Sequence, residues 1–214
     1  MEATEAQLKT GTTTVAIVCK DGLVLAADRR ATAGNLIANK NITKIHEISE
    51  NMVLTMAGSV SDVQLLIKFI KAELRLKKVR SKRDMTVKET ANLLAGMVYS
   101  NIRRFSIIPG ISQFILGGKD NEGFHVYDIY PDGSVTEIND YVSSGSGSVM
   151  AYGVLETLYN KNMSVDEGIK LAVKALNAAI QRDTASGSGF DVVTITNKGI
   201  KHVIGKQIEK KVEA

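Results

Sequence analysis

The first sixty residues carry their apolar positions in short runs rather than at helical spacing. Thr13 to Cys19, Leu23 to Ala27, Ile42 to Ile48 and Met52 to Ala57 are rich in β-branched and aliphatic residues, and Asp21-Gly22 separates the first two. They predict four strands in two hairpin-like pairs. The period then changes. Val63, Leu66, Ile70 and Leu74 recur at intervals of three and four, predicting a helix over Val60 to Leu76. A second helix is predicted over Thr86 to Phe105, opened by the capping box Thr86-Val87-Lys88-Glu89 and closed before Pro109-Gly110. Strands return over Gln113 to Leu116, Phe124 to Tyr130 and Val135 to Ile138, broken by Asp120-Asn121-Glu122-Gly123 and Pro131-Asp132-Gly133. Two more helices follow, one from Gly145-Ser146-Gly147 through Tyr159, the other from the capping box Ser164-Val165-Asp166-Glu167 to Gln181. Asp191 to Thr196 and Lys201 to Ile204 close the chain as strands turning at Asn197-Lys198-Gly199.

Blocks of strands alternating with pairs of helices exclude the regular βαβ rhythm of a doubly wound parallel sheet, because hairpin turns make neighbours antiparallel. Continuous apolar runs such as Val15 to Val18 belong to strands covered on both faces. The expected fold is α+β, a four-layer α-β-β-α sandwich of two stacked antiparallel sheets with helix pairs outside. At 214 residues, with no Pro/Gly/Ser-rich linker, the chain is read as one domain.

Composition narrows the function by exclusion. Hydrophobic residues at 44% and charged residues at 23% are ordinary for a globular domain. No apolar run approaches the roughly 18 residues of a membrane helix, and Met1 to Gly11 carries Glu2, Glu5 and Lys9 where a signal peptide has an apolar core, so a cytoplasmic protein is expected. The net charge of +4 gathers in Lys68, Lys71, Arg75, Lys77, Lys78, Arg80, Lys82 and Arg83. The apolar helical spacing beneath them marks a solvated face, and with stacking aromatics nearly absent no nucleic-acid partner is expected. One cysteine, Cys19, and three scattered histidines offer no metal-ligand spacing, so neither metal nor cofactor is expected.

Four stations hold candidate chemistry, each with a plain structural reading beside it. Gly11-Thr12 is either the start of the domain or a bond whose cleavage gives Thr12 a hydroxyl nucleophile and a free amine on adjacent carbons. Asp28-Arg29-Arg30 ends a strand and could be an ordinary salt bridge. Lys44, between Thr43 and Ile45, could be an edge-strand lysine, with alternation placing Ile42, Lys44 and His46 on one face. Arg182-Asp183-Thr184-Ala185-Ser186-Gly187 could be helix-end polarity. Gly145-Ser146-Gly147 could cradle a phosphate at a helix start, but it lacks the further glycine or lysine of the known phosphate loops.

Together, Gly11-Thr12-Thr13-Thr14-Val15, Ala26-Ala27-Asp28-Arg29-Arg30-Ala31-Thr32, Lys44-Ile45, Ala57-Gly58-Ser59, Ser144-Gly145-Ser146-Gly147, Ala151-Tyr152-Gly153-Val154-Leu155-Glu156 and Arg182 to Gly187 resemble the proteasome β subunit of the archaeal and bacterial type, within the N-terminal-nucleophile hydrolases. The resemblance covers Thr12 to about Ile204 and implies the same four-layer fold. It divides the chain into an autocleaved propeptide, residues 1–11, a single catalytic domain, 12–205, and a charged tail, 206–214. It implies a threonine endopeptidase in which Thr12 is the nucleophile, exposed when the Gly11-Thr12 bond is cut. Lys44 would favour the ionised hydroxyl, Asp28 would hold Lys44, the Gly58 N–H would stabilise the oxyanion, and Asp183, Ser186 and Ser146 would orient the amine and a water. Thr32 and Ser59 would bind peptide backbone, and Ala31, Ile42, His46, Met56 and Val60 would line an apolar pocket suited to cleavage after large apolar residues. Implied partners are proteasome α subunits and other β subunits in stacked seven-membered rings, a regulatory ATPase or other unfoldase, and unfolded protein as substrate. Two other readings stay open: a structural or assembly-assisting β subunit with little activity, and a non-proteasomal amidohydrolase of the same class.

Overall fold

The computed structural model describes residues 11–207. Its first half contains β1 (Thr14–Cys19), β2 (Gly22–Asp28), β3 (Ala31–Ala33), β4 (Leu36–Asn39), β5 (Ile45–Ser49), β6 (Met52–Gly58), α1 (Val60–Ser81) and α2 (Val87–Arg103). The second half contains β7 (Ser112–Lys119), β8 (Phe124–Ile129), β9 (Val135–Ile138), β10 (Tyr141–Ser144), α3 (Ser148–Leu158), α4 (Val165–Arg182), β11 (Gly189–Thr196) and β12 (Gly199–Gln207). Two five-stranded antiparallel sheets form, ordered β10-β1-β2-β11-β12 and β5-β6-β7-β8-β9.

Alternation within the strands builds the layers. Val15, Ile17, Val24 and Ala26 pack with Leu155, Leu171 and Leu176 of α3 and α4, whereas Ala16, Leu23, Leu25 and Ala27 meet Val53, Ile115 and Val126 of the other sheet. On the far side Leu54, Phe114, Leu116 and Ile129 pack with Ile70, Leu94 and Val98 of α1 and α2. Three apolar interfaces separate four layers, so the expected sandwich is the fold observed. Fully buried side chains such as Phe114, Leu25 and Leu176 each contribute roughly 1.5–3 kcal/mol of burial.

Both expected capping boxes are closed in both directions, at Thr86 with Glu89 and at Ser164 with Glu167. The basic stretch is solvent-facing except for the half-buried Lys71, and Val63, Leu66, Ile70 and Leu74 are buried beneath it. That helix continues past Leu76 to Ser81, where Lys82 turns into the left-handed region at φ 55°. The first hairpin turns at Lys20 and Asp21, and Gly22 already pairs with Cys19. Three strands were not expected: β3 and β4, which form a separate hairpin, and β10, which pairs with β1. Lys44 precedes β5 instead of lying within it, although its carbonyl accepts the Met56 N–H at 3.0 Å and so continues the ladder by one bond. The last strand includes positions 206 and 207 of the expected tail. Positions 208–214 of the expected tail and 1–10 of the expected propeptide lie outside the described residues.

Candidate active site

Strand register brings the four stations to one end of the sandwich. Pairing of Thr14 with Ala27 sets Thr13 beside Asp28, and the Asp28 N–H donates to the Thr13 carbonyl at 3.1 Å. On the other flank β10 pairs Ser144 with Thr14, so Gly145-Ser146-Gly147 runs directly past Thr12. The glycines there serve close approach. A Cβ on Gly145, whose φ is +90°, would stand 2.0 Å from the Thr12 carbonyl oxygen, and one on Gly147 would stand 2.0 Å from Thr13 Oγ1. No phosphate cradle is needed to account for them.

Asp28 is completely buried and receives four donors. Oδ1 accepts the Thr13 N–H at 2.9 Å and Lys44 Nζ at 2.6 Å, and Oδ2 accepts the N–H groups of Arg30 at 2.9 Å and Gly187 at 3.0 Å. Three donors are backbone, so the carboxylate is fixed by the fold itself. Lys44 is 3% exposed, and burial pushes its ammonium below the usual lysine value while Asp28 opposes the shift. Its Nζ also lies 3.4 Å from the Gly11 carbonyl oxygen. The plain reading of Asp28 as a partner of its neighbouring arginines fails, because Arg29 pairs with Asp191, and the Arg30 guanidinium donates to the Thr184 carbonyl and Ser188 Oγ.

A second carboxylate lies on the other side of Thr12. Asp183, just past α4, accepts Ser146 Oγ and Ser186 Oγ on Oδ2, each at 2.6 Å, and the Ala185 N–H on Oδ1 at 3.2 Å. The Thr12 N–H donates to Ser146 Oγ at 3.3 Å. Thr12 itself is 5% exposed, and its hydroxyl donates to the carbonyl of Gly11, the residue before it, at 2.7 Å. Gly11 fits because Ala185 leaves no room, a Cβ there falling 1.7 Å from that of Ala185. The Gly11 N–H donates to Thr32 Oγ1 at 3.1 Å.

Beside Thr12 opens a cleft whose walls include Ala31, Thr32, Ile42, Met56, Gly58 and Val60. Gly58, at φ +113°, turns against the Ile111 carbonyl, which a Cβ would meet at 2.3 Å. Thus Thr12, Asp28, Lys44, Gly58, Ser146, Asp183 and Ser186 are brought together, with Thr32, Ala31, Ile42, Met56 and Val60 around them. His46 and Ser59 are not among the cleft-lining residues. His46 keeps a buried Nε2 without a hydrogen-bond partner, and burial, with help from Lys71, lowers its imidazole below the usual range. Ser59 Oγ instead shares a hydrogen bond with Ser61 Oγ at 3.1 Å. Arg30, Ala57 and Val63 also line the cleft. The signal for Arg30 was its place between Asp28 and the lining residue Ala31. Among the described residues no group of His, Cys, Asp or Glu is arranged to hold a metal ion, and no helix is long and apolar enough to cross a membrane.

Comparison with known proteins gives a concordant result. The sequence pattern of the family described as "Proteasome subunit" matches residues 8–195. A protein of Ferroglobus placidus named "Proteasome subunit beta" is 46% identical over 199 residues, 93% of each chain. One of the same name from Archaeoglobus fulgidus is 42% identical over 98% of this chain and 97% of its own. The "Proteasome subunit beta 2" of Pyrococcus furiosus is 44% identical over 94% of each.

Proposed function

This chain belongs to the proteasome subunit family, and on that premise we propose that it is a catalytic β subunit, a threonine endopeptidase that first cuts its own Gly11-Thr12 bond and then peptide bonds of unfolded proteins. One observation carries the reading: the Thr12 hydroxyl is hydrogen-bonded, at 2.7 Å, to the carbonyl of the bond to be cut, with Lys44 Nζ at 3.4 Å from the same oxygen. A cation there draws electron density from the carbonyl and favours attack on its carbon.

In the first reaction Thr12 Oγ1 bonds to the Gly11 carbonyl carbon and loses its proton. The C–N bond breaks, the nitrogen takes a proton, and the resulting ester is hydrolysed by water to a Gly11 carboxylate and a free Thr12 amine. While Gly11 is attached that nitrogen is an amide without basicity. Once free, an α-amine with an ordinary pKa of roughly 7.7–8 can take the Oγ1 proton near neutral pH. In each later turnover Oγ1 attacks a substrate carbonyl, the Gly58 N–H faces the developing oxyanion, the amine returns its proton to the leaving nitrogen, and water releases the acyl group. The Asp28-Lys44 pair keeps a positive charge beside Oγ1, and Ser146 with Asp183 orients the amine.

Gly11 supports a role for the cleft as well. Its N–H donates to Thr32 Oγ1, as the backbone of a substrate residue just before the cut bond would. Ala31, Ile42, Met56, Val60 and Val63 make the adjoining pocket apolar, and among the described residues the charged groups on its wall are Lys44 and Arg30. An apolar lining with two cations at its wall favours large apolar side chains over basic ones. Assembly is proposed with α subunits and further β subunits in stacked seven-membered rings in the cytoplasm, supplied by an unfolding ATPase.

Intact mass of the assembled particle tests the reading. The expected chain begins at Thr12, and Thr12→Ala is expected to retain its leader and lose peptide hydrolysis. A hydrolytically active Thr12→Ala particle would overturn the proposal, and a leader retained by the parent chain would favour a structural subunit.

A further inference from the structure

Thr13 has no role in the mechanism above, yet its side chain is completely buried between the two carboxylates of the site. Its N–H donates to Asp28 Oδ1 at 2.9 Å, and its Oγ1 lies 2.7 Å from Ser186 Oγ. The direction of the second bond follows from counting protons. A hydroxyl has one hydrogen, and that of Ser186 lies on Asp183 Oδ2 at 2.6 Å. Thr13 must therefore donate, and Ser186 must accept. The same count fixes Ser146: its hydrogen also lies on Asp183 Oδ2, so its lone pairs are left for the Thr12 N–H.

We infer that Thr13 is a positioning residue for the reaction, its hydroxyl locking Ser186 onto Asp183 so that Ser146 presents an acceptor to the Thr12 nitrogen. With the amine's hydrogens drawn toward Ser146, its lone pair is left to face the Thr12 hydroxyl. The same residue joins the two halves of the site, because its backbone N–H rests on the carboxylate that holds Lys44 and its side chain on Ser186, which the other carboxylate holds. Space is made for it. Gly147 has an ordinary φ of −88°, so glycine is not required there by conformation. A Cβ would, however, fall 2.0 Å from Thr13 Oγ1, 3.0 Å from Ala179 Cβ and 3.2 Å from Asp183 Oδ2. The missing side chain is what lets the Thr13 hydroxyl approach Ser186.

The inference rests on Thr12 being the nucleophile, and the test keeps the two separable. Thr12→Ala, Thr13→Val and Thr13→Ser are each assembled with α subunits, checked by intact mass and thermal melting, and assayed on a short apolar peptide. Thr13→Val keeps the shape and removes the donor, and is expected to lower kcat roughly three- to tenfold with KM unchanged, the size of one lost neutral hydrogen bond. Thr13→Ser restores the donor and is expected to recover kcat. Leader retained by Thr13→Val and removed by Thr13→Ser supports the inference equally, since the hydroxyl is then needed at the first bond cut. Parental kcat in Thr13→Val overturns it, as does a Thr13→Ser particle as slow as Thr13→Val, which would assign the effect to packing. An active Thr12→Ala particle overturns the nucleophile and this inference with it, whereas an inactive one beside a normal Thr13→Val overturns this inference alone.

Discussion

The two carboxylates flanking Thr12 are held in opposite ways. Asp28 ends a strand in the middle of a sheet, is completely buried, and takes three backbone N–H groups and one ammonium. Asp183 lies past a helix end and takes two serine hydroxyls and one backbone N–H. Backbone donors cannot turn without moving the sheet, whereas a hydroxyl reorients by rotating one bond. Asp28 is therefore suited to hold a fixed charge, and Asp183 to set the direction of the hydroxyls that donate to it. The proposed chemistry, which must both polarise a carbonyl and move a proton, has use for one of each.

Neutralising the two carboxylates should separate these roles. The largest effect is expected from Asp28→Asn, which leaves Lys44 buried without its partner. A loss of about 3–5 kcal/mol is expected in denaturant unfolding of the subunit, together with loss of peptide hydrolysis. Asp183→Asn should lower kcat about 100-fold through misplacement of the amine, while costing only about 1–2 kcal/mol in the same unfolding measurement. Equal stability losses in the two variants would break the contrast. A smaller effect belongs to pH. Burial lowers Lys44 in the folded chain, so between that depressed value and the ordinary 10.5 the unfolded chain binds a proton that the folded chain has released. Stability from this group therefore rises with pH across that window. Lys44→Met should remove the rise, by less than about 1.4 kcal/mol per pH unit, and identical slopes of unfolding midpoint against pH in parent and variant would refute it.

Much of this molecule was legible before its coordinates. Both capping boxes fall on the residues read from Ser/Thr-x-x-Glu, because a cap is a local bargain between four neighbouring residues. The hidden elements lacked that locality. Leu36 to Asn39 of β4 are all exposed and leave no alternation to detect. In β10, Ser143 and Ser144 are buried yet polar, satisfied by the Thr14 carbonyl and hydroxyl more than a hundred residues earlier. Lys44 shows both sides of the matter. It leads into β5, an edge strand, but its side chain turns inward to an aspartate on the other sheet. Thr13 escaped notice because one threonine in a run of three carries no pattern, and only the register sets its hydroxyl against Ser186.

The sealing of the Lys44-Asp28 pair, 3% and 0% exposed, has a consequence for the conditions under which the site works. Dissolved ions screen charges across roughly 8 Å of solvent at physiological ionic strength, but they act weakly on a pair that no water separates from its surroundings. The exposed pairs of Lys78 with Asp84 and Arg83 with Glu89 loosen as salt rises. The charge that this pair sets beside the Thr12 hydroxyl is far less open to such screening, so the chemical step proposed there should depend less on salinity than the outer surface of the chain does.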